Sequence, residues 1–293
     1  MRYSASGEYL GQFPTTSQYG SEEYNSLTRG PDGNLYVLGN IIGQGYVQRV
    51  EMTKRAWETV YINQGQPETR QLTAPSGIAF DPSGQLYVGS NAFAGFGQTA
   101  VYRVDPPGLA PVLSYAQTDH LGDIEFDVAG NLFVGISGEG IRRYALANGA
   151  AFTIPTSSTY DFNFGPDGML YVATHSAGVQ KFDPSTGASL GTFVAAGSQG
   201  LGDVSDLVFG DDGILYVDDR GTGRILKYDA ITGAPAGVFS DYSTSGQPVY
   251  SIAYAVPEPT VAGVLMAGLG WGVAGNRLRR KRSVASGHVS ARS

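Results

Sequence analysis

The chain contains no cysteine, only three histidines and only two tryptophans in 293 residues. Without cysteine there is no disulfide, no thiolate metal site and no cysteine nucleophile. The compartment stays open, because disulfides are common outside cells but not compulsory there. Positive charge is scarce until the last residues. Residues 1–256 hold 25 of the 26 acidic side chains and 13 of the 19 basic ones, a formal charge of −12. Such a surface argues against nucleic-acid binding, which needs a positive footprint, and is compatible with divalent cations. No phosphate loop is present: GQG, GFG and GTG occur without a following helix or lysine. No serine sits in a GxSxG elbow. Few segments read as long amphipathic helices, and there is one long uncharged apolar run, residues 261–275.

What is abundant is glycine (42) and tyrosine (18). Glycine at this frequency without a triplet period indicates many tight turns. The turns fall in a repeat. GPDGNLYV begins at Gly30, DPSGQLYV at Asp81, DVAGNLFV at Asp127, GPDGMLYV at Gly165 and GDDGILYV at Gly210. The shared glycines, Gly33, Gly84, Gly130, Gly168 and Gly213, are 51, 46, 38 and 45 residues apart. Each unit has the same grammar. A first strand (GIAFD 77–81, DIEFD 123–127, DFNFG 161–165, DLVFG 206–210) meets a turn suited to a hairpin. The second strand is LYV or LFV. A third follows (VYRVD 101–105, IRRYA 141–145, VQKFD 179–183, ILKYD 225–229), then a fourth (SLGTFV 189–194, PAGVFS 235–240). Four short strands per unit of about 40–50 residues is the arithmetic of a propeller blade. One blade cannot bury both of its apolar faces, so its neighbours must cover them.

The ends extend the pattern. MRYSASGEYLGQF resembles the third and fourth strands, and SIAYA at 251–255 resembles a first strand. Together they predict a sixth, composite blade lacking a second strand, in an all-β, six-bladed propeller over residues 1–255. Residues 256–282 then form a separate tail, and 283–293 a disordered end. The apolar run of the tail is followed by Arg277, Arg279, Arg280, Lys281 and Arg282. That order predicts a hydrophobic helix that enters a membrane with its basic cluster on the cytoplasmic side.

Two family resemblances follow from these residues. The five repeats resemble the NHL family and the wider six-bladed propellers of the SMP-30/gluconolactonase group. Val256, Pro257, Glu258 and Pro259, with the apolar run and the arginines behind them, resemble a PEP-CTERM sorting signal. This second resemblance implies processing by an integral-membrane exosortase, export, and release or attachment to the cell envelope or an extracellular polymer. Export would require a signal peptide, and MRYSASGEYL is not one. The expectation is that the signal peptide and one strand lie upstream of Met1.

The candidate site lies on the first strands. Asp123, Asp161 and Asp206 occupy equivalent positions, and Glu125 and Asn163 the next positions on the same side. Oxygen ligands of this kind suit calcium. The gluconolactonase resemblance likewise implies a divalent ion held by Glu, Asn and Asp in the channel. The competing reading is that these residues satisfy nearby backbone N–H groups. Corresponding positions elsewhere are Gly77 and Ala79, Ser26 and Thr28, and Ser251 and Ala253. His120 precedes a first strand and His175 follows a second, and both read as surface groups rather than a catalytic pair; Asp218, Asp219 and Arg220 read as a salt-linked polar loop in the region of His175. The expected function is an exported, monomeric propeller of the envelope or matrix, a binding or structural module. Its expected partners are an exosortase and an extracellular polysaccharide or envelope protein, and no nucleic acid. A divalent-cation-dependent, lactonase-like hydrolase is the alternative.

Overall fold

The computed structural model describes residues 2–3, 9–11, 22–41, 44–52, 56–62, 71–93, 96–156, 161–243, 249–255 and 263–268. They form an all-β propeller with five blades, each built from four consecutive strands. The first blade contains β3 (Glu22–Arg29), β4 (Leu35–Ile41), β5 (Gln44–Glu51) and β6 (Ala56–Ile62). The second contains β7 (Ala74–Phe80), β8 (Leu86–Asn91), β9 (Ala100–Asp105) and β10 (Gly108–Ser114). The third contains β11 (Leu121–Phe126), β12 (Leu132–Ile136), β13 (Gly140–Ala145) and β14 (Ala150–Ile154). The fourth contains β15 (Phe162–Phe164), β16 (Leu170–Thr174), β17 (Gly178–Phe182) and β18 (Ser189–Val194). The fifth contains β19 (Val204–Phe209), β20 (Ile214–Asp219), β21 (Arg224–Asp229) and β22 (Pro235–Asp241). Every pairing within a blade is antiparallel.

The chain ends meet in one further sheet, in the order β2 (Tyr9–Gly11), β1 (Arg2–Tyr3), β24 (Gly263–Gly268) and β23 (Val249–Ala255). Strand β23 packs between β19 and β3. The expected six-bladed propeller with a C-terminal sorting helix is therefore corrected. Five blades are complete in themselves, and the terminal sheet is a join across the sequence. Residues 263–268 supply the strand that the sequence pattern left out. Gly263 through Gly268 pair with β23 from Ala255 to Val249, so this apolar segment is a strand and not a helix. Among the described residues no helix is long and apolar enough to cross a membrane. The expected membrane segment, and the localisation built on it, are corrected accordingly. Val256–Pro259, Arg277–Arg282 and residues 283–293 lie outside the described residues.

The repeat has a physical reason at its turn. Gly33, Gly84, Gly130, Gly168 and Gly213 all have φ between 73 and 85°, a region in which a side chain is strained. The turn aspartate closes on the backbone: Asp32, Asp167 and Asp212 accept from the N–H two residues on. The tyrosine of the next strand donates its hydroxyl to the same carboxylate, as Tyr36 does to Asp32, Tyr171 to Asp167 and Tyr216 to Asp212. In the third blade phenylalanine replaces tyrosine, and Asn131 donates to Asp127 instead.

The same aromatic residue joins each blade to the next. Tyr36 meets Phe80, Tyr87 meets Phe126, Phe133 meets Phe164, Tyr171 meets Phe209 and Tyr216 meets Tyr254. The ring centroids are 4.8 Å apart in the first of these and 5.9 Å in the last. Each such pair adds about 0.5–1.5 kcal/mol beyond its buried area. The series runs blade to blade and ends on the terminal strand, so the LYV triplet and the aromatic of the first strand form one device.

Candidate functional site: the channel and its cavity

The first strands of the blades, with β23, surround a central channel. Successive side chains of a strand alternate in direction, so two residues per strand face inward. They form two stacked rings. The upper ring contains Ser26, Gly77, Asp123, Asp161, Asp206 and Ser251. The lower contains Thr28, Ala79, Glu125, Asn163, Val208 and Ala253. The acidic side of the upper ring stops at Gly77 for a steric reason. A Cβ there would lie 2.6 Å from the Ile124 nitrogen and 3.0 Å from the Asp123 Cα.

The structure brings together all five residues singled out as calcium ligands, and it shows what they bind. Asp161 Oδ2 accepts from the Leu207 N–H of the next blade at 2.7 Å. Asp206 Oδ2 accepts from the Ile252 N–H of the terminal strand at 2.5 Å. Asp123 and Asp206 each hydrogen-bond Asp161. Burial, reinforced by the charge of Asp161, holds Asp123 and Asp206 well above the usual carboxylate range. Burial also raises Asp161, against the hydrogen bonds it accepts from Asp206, Leu207 and Asp123. Asp161 is thus the central acceptor of the trio. Asn163 Nδ2 donates to Glu125 Oε1 at 3.2 Å. Burial, helped by Asp161, pushes Glu125 up to about 8. Among the described residues no group of three or more histidines, aspartates and glutamates is arranged to hold a metal ion.

At the level of the lower ring the channel holds a cavity of about 230 Å³. Thr28, Glu125 and Asn163 line it, Phe209 and Tyr254 form an apolar wall, and Arg29 and Asp211 stand at its mouth. Arg29 Nη1 and Asp211 Oδ2 form an exposed ion pair at 3.2 Å. Sequence reasoning identified Thr28, Glu125 and Asn163 as inward-facing. It missed Arg29, Phe209, Asp211 and Tyr254. Their only signal was position: each ends a first strand or lies in the turn behind one.

On the opposite rim both histidines are exposed, and it is Asp218 and Asp219 that differ from expectation. His175 Nδ1 bonds Asp203, which also accepts from Arg220. These bonds hold the Asp203 carboxyl below its usual value although burial opposes them. His120 instead contacts the Thr118 carbonyl. Asp218 and Asp219 are not loop residues. Both lie in β20 and are fully buried. Asp218 binds Ser205 and the Tyr242 hydroxyl, and its burial pushes it up to about 7. Asp219 accepts from the Gly202 and Asp203 N–H groups and from Thr222, fixing the approach to β19. The clue was available: an acid follows LYV here where the other blades have glycine, alanine or leucine.

No family model matches this chain. No curated protein matches it either. The resemblances to the NHL and gluconolactonase-type propellers and to the PEP-CTERM signal are therefore corrected to a shared propeller architecture. Solved structures do match. One is a protein of unknown function from Bacteroides caccae, 15% identical, with a TM-score of 0.58, covering 83% of this chain and 89% of that one. A nidogen/laminin complex contains a chain 15% identical, with a TM-score of 0.59 and coverage of 78% and 84%. A catalytically inactive virginiamycin B lyase from Staphylococcus aureus, solved with quinupristin, is 14% identical, with a TM-score of 0.56 and coverage of 87% and 83%. At these identities the likeness is one of fold alone, and propellers host enzymes and binding modules alike.

Proposed function

We propose that this protein is a binding module that takes a ligand at the turn-bearing end of its channel and performs no metal-dependent chemistry within it. The observation that carries this reading is how the channel carboxylates are used. Asp161 and Asp206 accept backbone N–H groups from the neighbouring strands, and Asp123 and Asp206 hydrogen-bond Asp161. A divalent ion would have to break the hydrogen bonds that Asp123 and Asp206 make to Asp161 and compete for carboxylates that already accept backbone N–H groups; each buried N–H left unpaired would cost about 1–3 kcal/mol. The acidic composition supports partners other than nucleic acid.

The experiment is a pair of measurements on the full chain. Thermal melts are recorded in millimolar calcium and in chelator, and hydrolysis of glucono-δ-lactone is followed in both. A binding module gives superimposed melts and only the buffer rate of lactone opening. Calcium-dependent hydrolysis that Asp161→Asn abolishes would replace this reading with the lactonase-like hydrolase.

A further inference from the structure

We propose that the channel cavity binds a small neutral polyol, of about the size of one monosaccharide ring, between the Glu125–Asn163 pair and the Phe209–Tyr254 wall. This rests on the binding-module reading and names its ligand class.

Size comes first. Pockets for drug-sized molecules run to roughly 300–1,000 Å³. At about 230 Å³ the cavity suits something smaller. Its polar groups come next. Thr28 offers a hydroxyl, and Asn163 keeps its amide oxygen and one amide N–H after donating to Glu125 Oε1. Glu125 presents its second carboxyl oxygen. The lining thus offers both donors and acceptors, as a ligand bearing hydroxyl groups requires. Charge is the third consideration. Arg29 and Asp211 already neutralise each other at the mouth. A ligand of either sign would meet both, so neither charge is favoured on entry. Last is the wall. Phe209 and Tyr254 are packed against Tyr171 and Tyr216, so they add a small apolar contact to a mostly polar lining, which suits a hydroxyl-rich ligand with few exposed C–H groups.

The test uses the full chain and saturation-transfer NMR, with D-glucose and myo-inositol as neutral probes. Gluconate and glucosamine serve as anionic and cationic probes of matched size. Transfer to the neutral probes is expected. It should weaken at least 5-fold in Asn163→Ala and in Thr28→Val, and persist in Val128→Ala, which alters an exposed side chain of a distant turn. The two cavity variants keep the test valid if one of them fails to fold. Stronger transfer to gluconate or glucosamine would overturn the neutral class and leave the binding-module reading standing. No transfer to any probe, or transfer unaffected in both cavity variants, would overturn the site itself. Neither result resembles the calcium-dependent lactone hydrolysis that would defeat the binding-module reading.

Discussion

Replacing Glu125 with glutamine should change how stability depends on pH, because Glu125 keeps its proton in the fold. Burial is the main cause. The charge of Asp161 adds to it, and the Phe126 N–H opposes it. Asn163, two residues beyond Asp161, donates to the Glu125 carboxyl. The folded value stands near 8 against an ordinary 4.5. Between these values the unfolded chain releases a proton that the folded chain retains. The unfolded state thus binds fewer protons, and stability falls as the pH rises from about 4.5 through about 8. A tenfold difference in proton affinity is worth about 1.4 kcal/mol, so the loss is on the order of a few kcal/mol. Glutamine has nothing to release, and its amide oxygen still accepts from Asn163. The assay is urea unfolding of both proteins from pH 4.5 to 8.5. Near pH 4.5 the curves should nearly coincide. At pH 8.5 Glu125→Gln should be the more stable, by roughly 5–10 °C in a parallel thermal melt. A residual slope is expected from Asp123 and Asp206, which are raised in the same sense. Parallel curves for the two proteins across the whole range would refute the argument.

Other consequences are direct. Asp206→Ala should cost about 1–3 kcal/mol near neutral pH by leaving the buried Ile252 N–H without its acceptor, measurable as a lower urea midpoint. Phe126→Ala should cost about 3–5 kcal/mol, since it removes a buried ring that packs on Tyr87 of the preceding blade. Gly178→Ala should lower stability by more than about 1 kcal/mol, because φ is +77° there and the new Cβ would lie 2.1 Å from the Val194 carbonyl oxygen. A thermal melt checks both of the last two.

The blades were legible because their determinants are local. A glycine with φ near +75° must stand at the same place in every turn, and the LYV triplet follows it at a fixed distance. The inward register of Asp123, Asp161 and Asp206 was legible for the same reason. Their role was not, because the acceptor–donor pairs are 46 residues apart, as Asp161 is from Leu207 and Asp206 from Ile252. Two readings of the acids were consistent with the sequence, and only the position of the neighbouring strand distinguishes them. The segment 263–268 reads as part of a helix and is a strand. An uncharged stretch of glycine, valine, leucine, methionine and alanine has no period that separates a buried strand from a helix. What decides it is β23, whose free edge pairs with it. Arg29 and Asp211 meet from distant parts of the chain, 182 residues apart, a juxtaposition no local pattern encodes.

The claim that the channel acids tie strands together, rather than hold a metal, is tested most directly at the two amides they bind. Calcium is titrated to millimolar concentration while the backbone amide resonances of Leu207 and Ile252 are followed by NMR. If the carboxylates are committed to these N–H groups, both resonances hold their downfield, exchange-protected positions throughout. Saturable movement of both, with loss of exchange protection as calcium draws the carboxylates away, would contradict the account.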